Sequence, residues 1–417
     1  MRIGYACLTI GVRDSNFRRC MLKNASEDKL LSIIKHNLNS LENIIDYNIE
    51  NNIKLFRISS DLIPFGSSQV NRIPWWDVYA SRFSSIGRKI REAGIRVSMH
   101  PGQYTVLNSP KVDVVKGAID DLIYHNRVLD SLGVNIDGKI VLHIGGVYGN
   151  KEEAINRFVT NFKLLDIRIK ERLVVENDDK SFNIADALKV GNSLNIPVVF
   201  DNLHNEVLPF DITKDNKYWI EQCKKTWKKE DGTQKIHYSQ QNLDKKPGAH
   251  SNTIDLESFM SFVEDLNSET DIMLEVKDKN ISAIKCINGI NANNKIKTLE
   301  VEWSKYKYNV LEHSSEKYNK IRKLLKEKDC YPVVEFYKLI DDALSIEITK
   351  GNFINAALHV WGYFKSKASD AEKSKFMKSL ERYKQDKLSE KTVKNQLMKM
   401  ALKYEEEYLL NSYYFYL

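Results

Sequence analysis

Short apolar segments alternate with longer amphipathic ones in residues 139–201, which read KIVLHIGGVYGNKEEAINRFVTNFKLLDIRIKERLVVENDDKSFNIADALKVGNSLNIPVVFD. The apolar segments KIVLH, RLVVE and PVVFD are rich in Val, Ile and Leu, as expected for parallel strands buried on both faces. The segments between them have helical spacing. This stretch therefore predicts two consecutive βαβ units.

The same alternation runs through the first 302 residues. The candidate strands are Arg2–Cys7, Lys54–Ser59, Ile95–Met99, Lys139–His143, Arg172–Glu176, Pro197–Asp201, Gln234–Ser239 and Asp271–Val276. Eight such units favour an α/β fold of the (β/α)8 TIM-barrel type over an open doubly wound sheet. No GxGxxG or GxxxxGK[ST] motif follows a candidate strand, so no nucleotide cofactor is expected.

The pattern changes at Trp303. Residues 303–417 are rich in Lys, Glu, Leu and Tyr and predict a separate all-α domain, which leaves 1–302 as the barrel domain. The helical part holds 22 Lys and Arg against 16 Asp and Glu, and so carries +6 of the net charge of +7. This excess of positive charge suggests binding to nucleic acid, although a Lys-rich solvated helical surface has the same composition.

The composition also bears on the compartment. No apolar run approaches about 18–20 residues, so no membrane span is expected. The apolar run before Arg13 is too short for a signal peptide. Five widely spaced cysteines favour a reduced cytoplasm without disulfides. We expect a cytoplasmic monomer.

Polar and ionisable residues stand at the ends of the candidate strands, and the carboxyl ends of barrel strands form the active-site face. In chain order they are Tyr5, Ser59 with Ser60, His100, His143, Glu176, Asp201, His237 and Glu275, with His204 and His250 close by. Each alone has an ordinary explanation, such as a hydrogen-bonded core histidine or a helix-capping carboxylate. Together, so many buried ionisable groups would be costly without compensation. Divalent metal ions supply that compensation.

The number and type of these residues indicate a multinuclear centre. A tetrahedral catalytic site needs about three protein ligands, whereas five imidazoles and three carboxylates suit two or three ions, with Glu176 and Asp201 as candidate bridging ligands. Mixed nitrogen and oxygen ligation without cysteine favours Mn, Zn or Fe(II) over Ca or Mg, and we expect Mn or Zn. Such centres favour displacement at phosphorus.

Eight motifs make the chain resemble the UV damage endonucleases, barrel nucleases related in fold to endonuclease IV. The matching segments are FRISSDLIPF (56–65), SMHPGQY (98–104), LHIGG (142–146), VVEND (174–178), FDNLH (200–204), KIHYS (235–239), GAHS (248–251) and MLEVKDK (273–279). They occur in family order and cover about residues 1–300.

The resemblance implies roles for individual residues. The metal ligands would be His100, His143, Glu176, Asp201, His204, His237, His250 and Glu275. Lys235 matches a lysine that can be carboxylated in the family, and its alternative is an ordinary lysine facing phosphate. We expect Glu176, Lys235 and His237 to be catalytic. Tyr5, Gln103 and Tyr104 match residues that probe damaged bases, and their alternative is packing around the ligands.

Three further segments carry weaker expectations. Members of the family often have a histidine near the position of Ser68, where this chain reads PFGSS. The basic run KKTWKK, 224–229, is a candidate for DNA backbone contact, with a solvated loop as the alternative. Residues 357–384 and 408–417 resemble a small helical domain of unknown function, whose aromatic residues we interpret as a core rather than a nucleic-acid platform.

The implied activity is hydrolysis of a DNA phosphodiester immediately 5′ to a lesion, which leaves 3′-hydroxyl and 5′-phosphate ends. The expected substrate is damaged double-stranded DNA carrying pyrimidine dimers or 6-4 photoproducts, with abasic sites as an extension. Damaged duplexes cost less to bend and unstack, which provides a basis for selection. A metal-dependent sugar isomerase and a DNA-binding scaffold with structural metals are the alternatives. The first is disfavoured by the many histidines, the second by the large ligand set.

Overall fold

The computed structural model describes the whole chain except residues 265, 267, 268, 292 and 294. Eight parallel strands close a barrel in chain order, with the last strand paired to the first. The strands are β1 Ile3–Ala6, β2 Leu55–Ile58, β3 Arg96–Met99, β4 Ile140–His143, β5 Leu173–Glu176, β6 Val198–Asp201, β7 Lys235–Tyr238 and β8 Asp271–Leu274. Every one lies within a predicted segment, so the (β/α)8 barrel is confirmed.

Helices of unequal length connect and follow the strands. They are α1 Glu27–Glu50, α2 Trp75–Val78, α3 Ala80–Glu92, α4 Val112–Ser131, α5 Lys151–Phe162, α6 Ile167–Arg172, α7 Ile184–Leu194, α8 Asn202–Val207, α9 Asn216–Lys224, α10 Leu256–Glu264 and α11 Asn280–Ile290. Local signals in the sequence set several boundaries. Ser26 caps the first turn of α1, and Asn183 forms a capping box with Asp186 at the start of α7.

Strand register determines which side chains meet at the carboxyl ends. The β4–β5 ladder pairs His143 with Glu176, and the β6–β7 ladder pairs Asp201 with His237. All four residues of β5 and of β6 are buried, because helices cover the outside of the barrel while side chains fill its interior. The apolar strands therefore fix the positions of the ionisable residues that terminate them.

The glycine pair of the LHIGG motif shapes the loop after β4. Gly145 has a φ of +114°, and a Cβ at this position would lie 2.3 Å from the side-chain oxygen of Asn108. A larger residue would therefore meet both backbone strain and a steric clash. The glycine lets the chain turn sharply just beyond His143.

The basic run 224–229 lies at the opposite end of the barrel from the ionisable strand ends. Its Trp227 donates a hydrogen bond to the carbonyl of Val198, and Thr226 accepts one from the amide of Val198, the first residue of β6. Trp227 also packs against the barrel valines Val141 and Val174. The run is therefore not at the barrel mouth, and its aromatic residue packs beneath the barrel.

The chain forms two compact units: Met1–Ile254 with Ser261–Ile284, and Asp255–Met260 with Lys285–Leu417. The predicted boundary at 302/303 falls inside α12, Ile296–His313, which belongs entirely to the second unit. Because helix follows helix from Asn280 onward, the sequence has no strand signal there to mark a boundary.

The second unit is helical, as predicted. It contains α12 followed by α13 Ser315–Leu324, α14 Val333–Leu344, α15 Lys350–Trp361, α16 Asp370–Lys384, α17 Glu390–Lys403 and α18 Glu407–Leu410. Its core is aromatic: the rings of Trp361 and Phe376 stack with centroids 4.4 Å apart, and both residues are buried. Among the described residues, no helix combines the length and apolarity needed to cross a membrane.

Candidate metal centre

Glu176, the last residue of β5, lies at the centre of the ionisable residues and is 1% exposed. One of its carboxylate oxygens is 3.0 Å from Nε2 of His100, and the other is 2.8 Å from Nδ1 of His237. Two further histidines lie slightly farther away, with nitrogens of His143 and His204 at 3.7 and 3.8 Å. Four imidazoles from different parts of the barrel therefore surround one carboxylate.

Seven of the eight predicted ligands fall into three groups in which the potential ligand atoms lie within 4.8 Å of one another. The groups are His100, His143 and Glu176; Glu176, His237 and Glu275; and Glu176, Asp201 and His204. Glu176 belongs to all three. A carboxylate has two oxygens with several lone pairs, so this arrangement suits a residue shared between neighbouring ions.

The eighth predicted ligand lies beside these groups. Nε2 of His250 is 3.8 Å from a carboxylate oxygen of Glu275, and its side chain is the most exposed of the five site histidines. The loop that carries it is joined to Gln241 by an isolated antiparallel bridge. His250 is therefore placed at the rim, next to the second group.

Several site histidines are oriented by hydrogen bonds from one ring nitrogen to the backbone. Nδ1 of His100 lies 2.9 Å from the carbonyl oxygen of Pro101, and Nδ1 of His204 lies 2.9 Å from that of Asn177. A carbonyl can only accept, so each Nδ1 must donate. In the neutral ring this leaves the Nε2 lone pair free, which is the arrangement usual for histidine ligands.

Unsatisfied polar atoms provide a test of whether the residues fit metal ions. Nδ1 of His143, Nε2 of His237 and Oδ2 of Asp201 are buried and make no hydrogen bond to any described residue. Burial also lowers the pKa of His100 to about 4, so its neutral Nε2 lone pair faces a carboxylate oxygen of Glu176. Unpaired and opposed lone pairs are costly in a protein interior. Cations between these atoms would remove the cost, so the donor set fits a metal centre.

The charges of the site act on one another strongly. Burial alone would raise the pKa of Glu176, but the charges of His237 and His143, together with a hydrogen bond from His237, hold it well below its usual range. Burial would lower the pKa of His204, yet the carboxylates of Asp201, Glu176 and Glu275 raise it to about 9. The uncompensated site thus holds excess negative potential near Asp201, where a cation would bind.

Lys235 begins β7, two residues before His237, and is 1% exposed. Alternate residues of a strand point to the same side, so both side chains face the barrel interior. Burial, together with the positive charges of Arg96 and Arg57, holds the pKa of Lys235 well below its usual range. Its amine therefore lies below the candidate metal ligands in a place that disfavours a positive charge.

Arg57 was not singled out from the sequence, although it lies in the FRISS motif. Its guanidinium pairs with a carboxylate oxygen of Glu275, and both the Arg57 and the His237 charges lower the pKa of Glu275 against the effect of burial. The available signal was a charged residue inside the otherwise apolar strand LFRI, since a buried arginine requires a partner. Arg57 positions Glu275.

A second overlooked network supports His100 from helix α4. The Oγ atom of Ser60 lies 2.8 Å from Nε2 of His125 and 3.1 Å from the carbonyl of His100. Nδ1 of His125 donates in turn to the carbonyl of Asp121. His125 is fully buried on α4. It connects α4 to the loops after β2 and β3.

The three predicted lesion-probing residues differ in accessibility. Tyr5 is 0% exposed, and its hydroxyl is 2.9 Å from Asn48 and 2.7 Å from Thr9. The ring of Tyr5 lies in the core against Phe56, which agrees with the packing alternative and leaves no exposed surface for a base to contact. Gln103 and Tyr104 lie on the exposed loop after His100, and Tyr104 is 67% exposed.

Tyr104 borders a cleft of about 290 Å³. The lining includes Ser60, Asp61, Gly66, Ser67, Ser68, Tyr104 and the arginines Arg18 and Arg19. Ser68 is thus part of this cleft and belongs to none of the three ligand groups.

The barrel unit and its site have counterparts among known proteins. Residues 1–307 match the family model described as UV-endonuclease UvdE. The chain belongs to this family. The resemblance drawn from the eight motifs is thereby confirmed, and the matched range includes all eight predicted ligands.

Individual UvdE relatives agree with the family match. The UV DNA damage endonuclease of Clostridium perfringens (strain 13 / Type A) is 46% identical over 353 residues, covering 82% of this chain and 83% of the relative. That of Bacillus cereus (strain G9842) is 32% identical and covers 72% of this chain and 97% of the relative. The crystal structure of SacUVDE has a TM-score of 0.66 at 41% identity and covers 69% of this chain and 96% of that one. Residues 307–417 match a family described as a protein of unknown function, DUF1722.

The shared position of Glu176 predicts its effect on metal binding. We expect the wild-type chain to bind at least two Mn²⁺ ions and Glu176→Gln to bind at most one, since the carboxylate belongs to all three ligand groups. Stoichiometry is measured by equilibrium dialysis with elemental analysis. The matched control is Glu206→Gln, which neutralises a nearby carboxyl outside the three groups. Equal stoichiometry in the wild type and Glu176→Gln would contradict the shared role.

Proposed function

We propose that the barrel is a metal-dependent endodeoxyribonuclease that hydrolyses the phosphodiester immediately 5′ to a UV photoproduct in duplex DNA. The observation that carries the proposal is the set of three ligand groups joined through Glu176, at the carboxyl ends of the strands of a UvdE-family barrel. The relatives are named UV DNA damage endonucleases, which supports damaged DNA as the substrate. Because the family match covers the whole barrel, the sugar isomerase and the scaffold are set aside.

The proposed centre contains two or three divalent ions, Mn²⁺ or Zn²⁺. The ligands would be His100, His143, Glu176, Asp201, His204, His237, His250 and Glu275. Bound ions would supply a nucleophile at neutral pH and offset charge on the phosphate oxygens. Cleavage adds water across the P–O3′ bond, so that the 3′ oxygen leaves as a hydroxyl and the phosphate stays on the 5′ end.

The side chains around the centre would hold the reacting groups in place. Hydrogen bonds from His100 and His204 to the backbone restrict their rings, and Arg57 restricts Glu275. Since effective molarities for oriented groups reach about 10⁵–10⁸ M, such rigid placement is a large part of what a nuclease site contributes. The buried walls also exclude bulk water from the carboxylates.

Incision of a defined substrate tests the proposed reaction. A duplex with one photoproduct, mixed with wild-type protein and Mn²⁺, is expected to be nicked once, 5′ to the lesion. Glu176→Gln is expected to lower the rate by at least about a hundredfold, the scale seen when an electrostatic group of an active site is removed, while DNA affinity changes little. Glu206→Gln serves as the control. A metal-loaded, folded wild type that leaves the lesion strand intact would refute the proposal.

Lys235 is proposed to carry a carboxylate under working conditions. Its buried position and the lack of an ion pair with any described residue favour a neutral amine, as does the match to a carboxylated family lysine. The amine nitrogen would attack carbon dioxide, form an N–C bond and release one proton, which leaves a carbamate anion beside the histidine-rich site.

Carboxylation is measured by ¹³C NMR after equilibration with ¹³C-bicarbonate. The wild type should give a carbamate resonance that is lost in Lys235→Ala and retained in Lys245→Ala, a change of an exposed lysine. A wild-type spectrum without the resonance, or one that persists in Lys235→Ala, would show that Lys235 acts as an ordinary lysine.

Gln103 and Tyr104 are proposed to contact the damaged bases. Their loop follows His100 directly and projects into solvent, so a glutamine amide can meet a base edge and a phenol ring can stack in the space left by a displaced nucleotide. Tyr5 is omitted from this proposal because it is buried.

Replacing Tyr104 should reduce discrimination rather than general binding. Stacking on an aromatic side chain contributes about 1–3 kcal/mol per base, so in Tyr104→Ala the ratio of affinities for damaged and intact duplex should fall by roughly tenfold. Competition binding measures the ratio, with Tyr218→Ala as the control for loss of an exposed tyrosine on α9. An unchanged ratio in Tyr104→Ala would exclude the role.

A further inference from the structure

The excess positive charge of the second unit is concentrated on two adjacent helices. Together α16 and α17 hold nine Lys and Arg against four Asp and Glu, which accounts for most of the +6 of residues 303–417. A groove of about 510 Å³ runs between them. Its lining includes the cations Lys375, Arg382, Lys399 and Lys403 and the acid Glu372.

Helical periodicity separates this polar face from the core. Lining residues recur at three- and four-residue intervals along both helices, from Glu372 to Arg382 and from Thr392 to Lys403. The opposite faces bury apolar residues such as Phe376 on α16 and Leu397 on α17. The two basic faces are therefore held side by side by a shared apolar core.

Three of the four cations that line the groove are not engaged by the protein itself. Lys375, Arg382 and Lys399 are exposed and form neither an ion pair nor a side-chain hydrogen bond with any part of the chain that the structure describes. Elsewhere in the unit lysines are paired, for example Lys317 with Asp342 and Lys350 with Asp386.

The acid in the lining does not cancel this charge. Glu372 accepts hydrogen bonds from Lys403 at 2.7 Å and Tyr404 at 2.8 Å. The remaining polar lining consists of hydroxyl and amide side chains, and those of Asn395 and Gln396 make no hydrogen bond to a described residue. The groove thus offers unpaired cations and neutral donors to an anionic ligand.

We propose that the α16–α17 groove binds the phosphate backbone of duplex DNA, as a second DNA contact outside the barrel. Lys375 and Arg382 are seven residues apart, a rise of about 10.5 Å along α16, so the two cations can contact separate phosphates of a DNA backbone. The lining contains no aromatic residue, so the groove lacks the stacking platform typical of single-strand binding. The inference rests on the proposed function, because a chain whose barrel cuts DNA has DNA as the polyanion that it binds.

The test compares two triple variants of the full chain with equal loss of charge. One is Lys375→Gln with Arg382→Gln and Lys399→Gln in the groove. The control is Lys323→Gln with Lys326→Gln and Lys365→Gln, which are exposed lysines of the same unit outside the groove. Fluorescence anisotropy measures the affinity for a short undamaged duplex over a range of salt concentrations.

The groove triple should weaken binding by at least roughly tenfold and reduce the salt slope by about 2 to 3, because each phosphate contact contributes about 0.9. The control triple should change affinity by less than about twofold. Equal losses in both triples would show an effect of net charge alone and overturn the proposal, as would no loss in either. Binding of polyglutamate through the groove without binding of DNA would also overturn it, in favour of an acidic protein partner.

Incision of photoproduct duplex by the wild type reports separately on the barrel. If the wild type fails to incise while the groove triple alone loses affinity, the proposed function fails and the groove assignment stands. If the wild type incises while both triples bind equally, the groove assignment fails and the proposed function stands.

Discussion

A single buried carboxylate organises the candidate site. Glu176 ends an apolar strand, is almost inaccessible to solvent, and lies within 4 Å of nitrogens from four histidines. Such a group is stable only when its charge is compensated, and each surrounding residue can be understood as part of that compensation. Hydrogen bonds to the backbone turn ring lone pairs inward, and Arg57 holds Glu275. Three buried polar atoms of the predicted ligands make no hydrogen bond to a described residue. The barrel supplies the rigid frame, because strand register brings His143 beside Glu176 and Asp201 beside His237.

The sequence predicted the barrel because apolar strands recur between helical segments. It located the candidate ligands because most of them stand at or just after the end of such a strand. A buried parallel strand is a short apolar run, so the residue that ends it can be read directly, as with Glu176 after RLVV. Features that depend on packing between distant segments were not predictable in the same way. The side chain of Tyr5 points into the core, where Asn48 of α1 meets its hydroxyl. Likewise, Trp227 in a basic run packs beneath the barrel. The family resemblance suggested that Tyr5 is accessible, and the basic composition suggested that the run around Trp227 is exposed, whereas long-range contacts determine how each ring packs.

The second unit shows that net charge alone does not reveal where on a surface the charged side chains are collected. Its +6 has the composition of any Lys-rich helical surface. Only the helical faces reveal that much of this charge is collected along one groove, whereas many other lysines are neutralised in pairs. The aromatic residues form the core as predicted. The barrel is nearly neutral in sum, yet metal ions at its mouth would make the local field more positive than its composition suggests.

The central claim is that ions gather around Glu176, and anomalous diffraction from Mn²⁺-loaded crystals tests it most directly. Two or three anomalous peaks are expected, each at roughly 2.0–2.3 Å from its nearest histidine or carboxylate ligands, with Glu176 contacting more than one of them. Peaks that share no Glu176 oxygen, or a folded and ordered barrel mouth without any peak, would contradict the account.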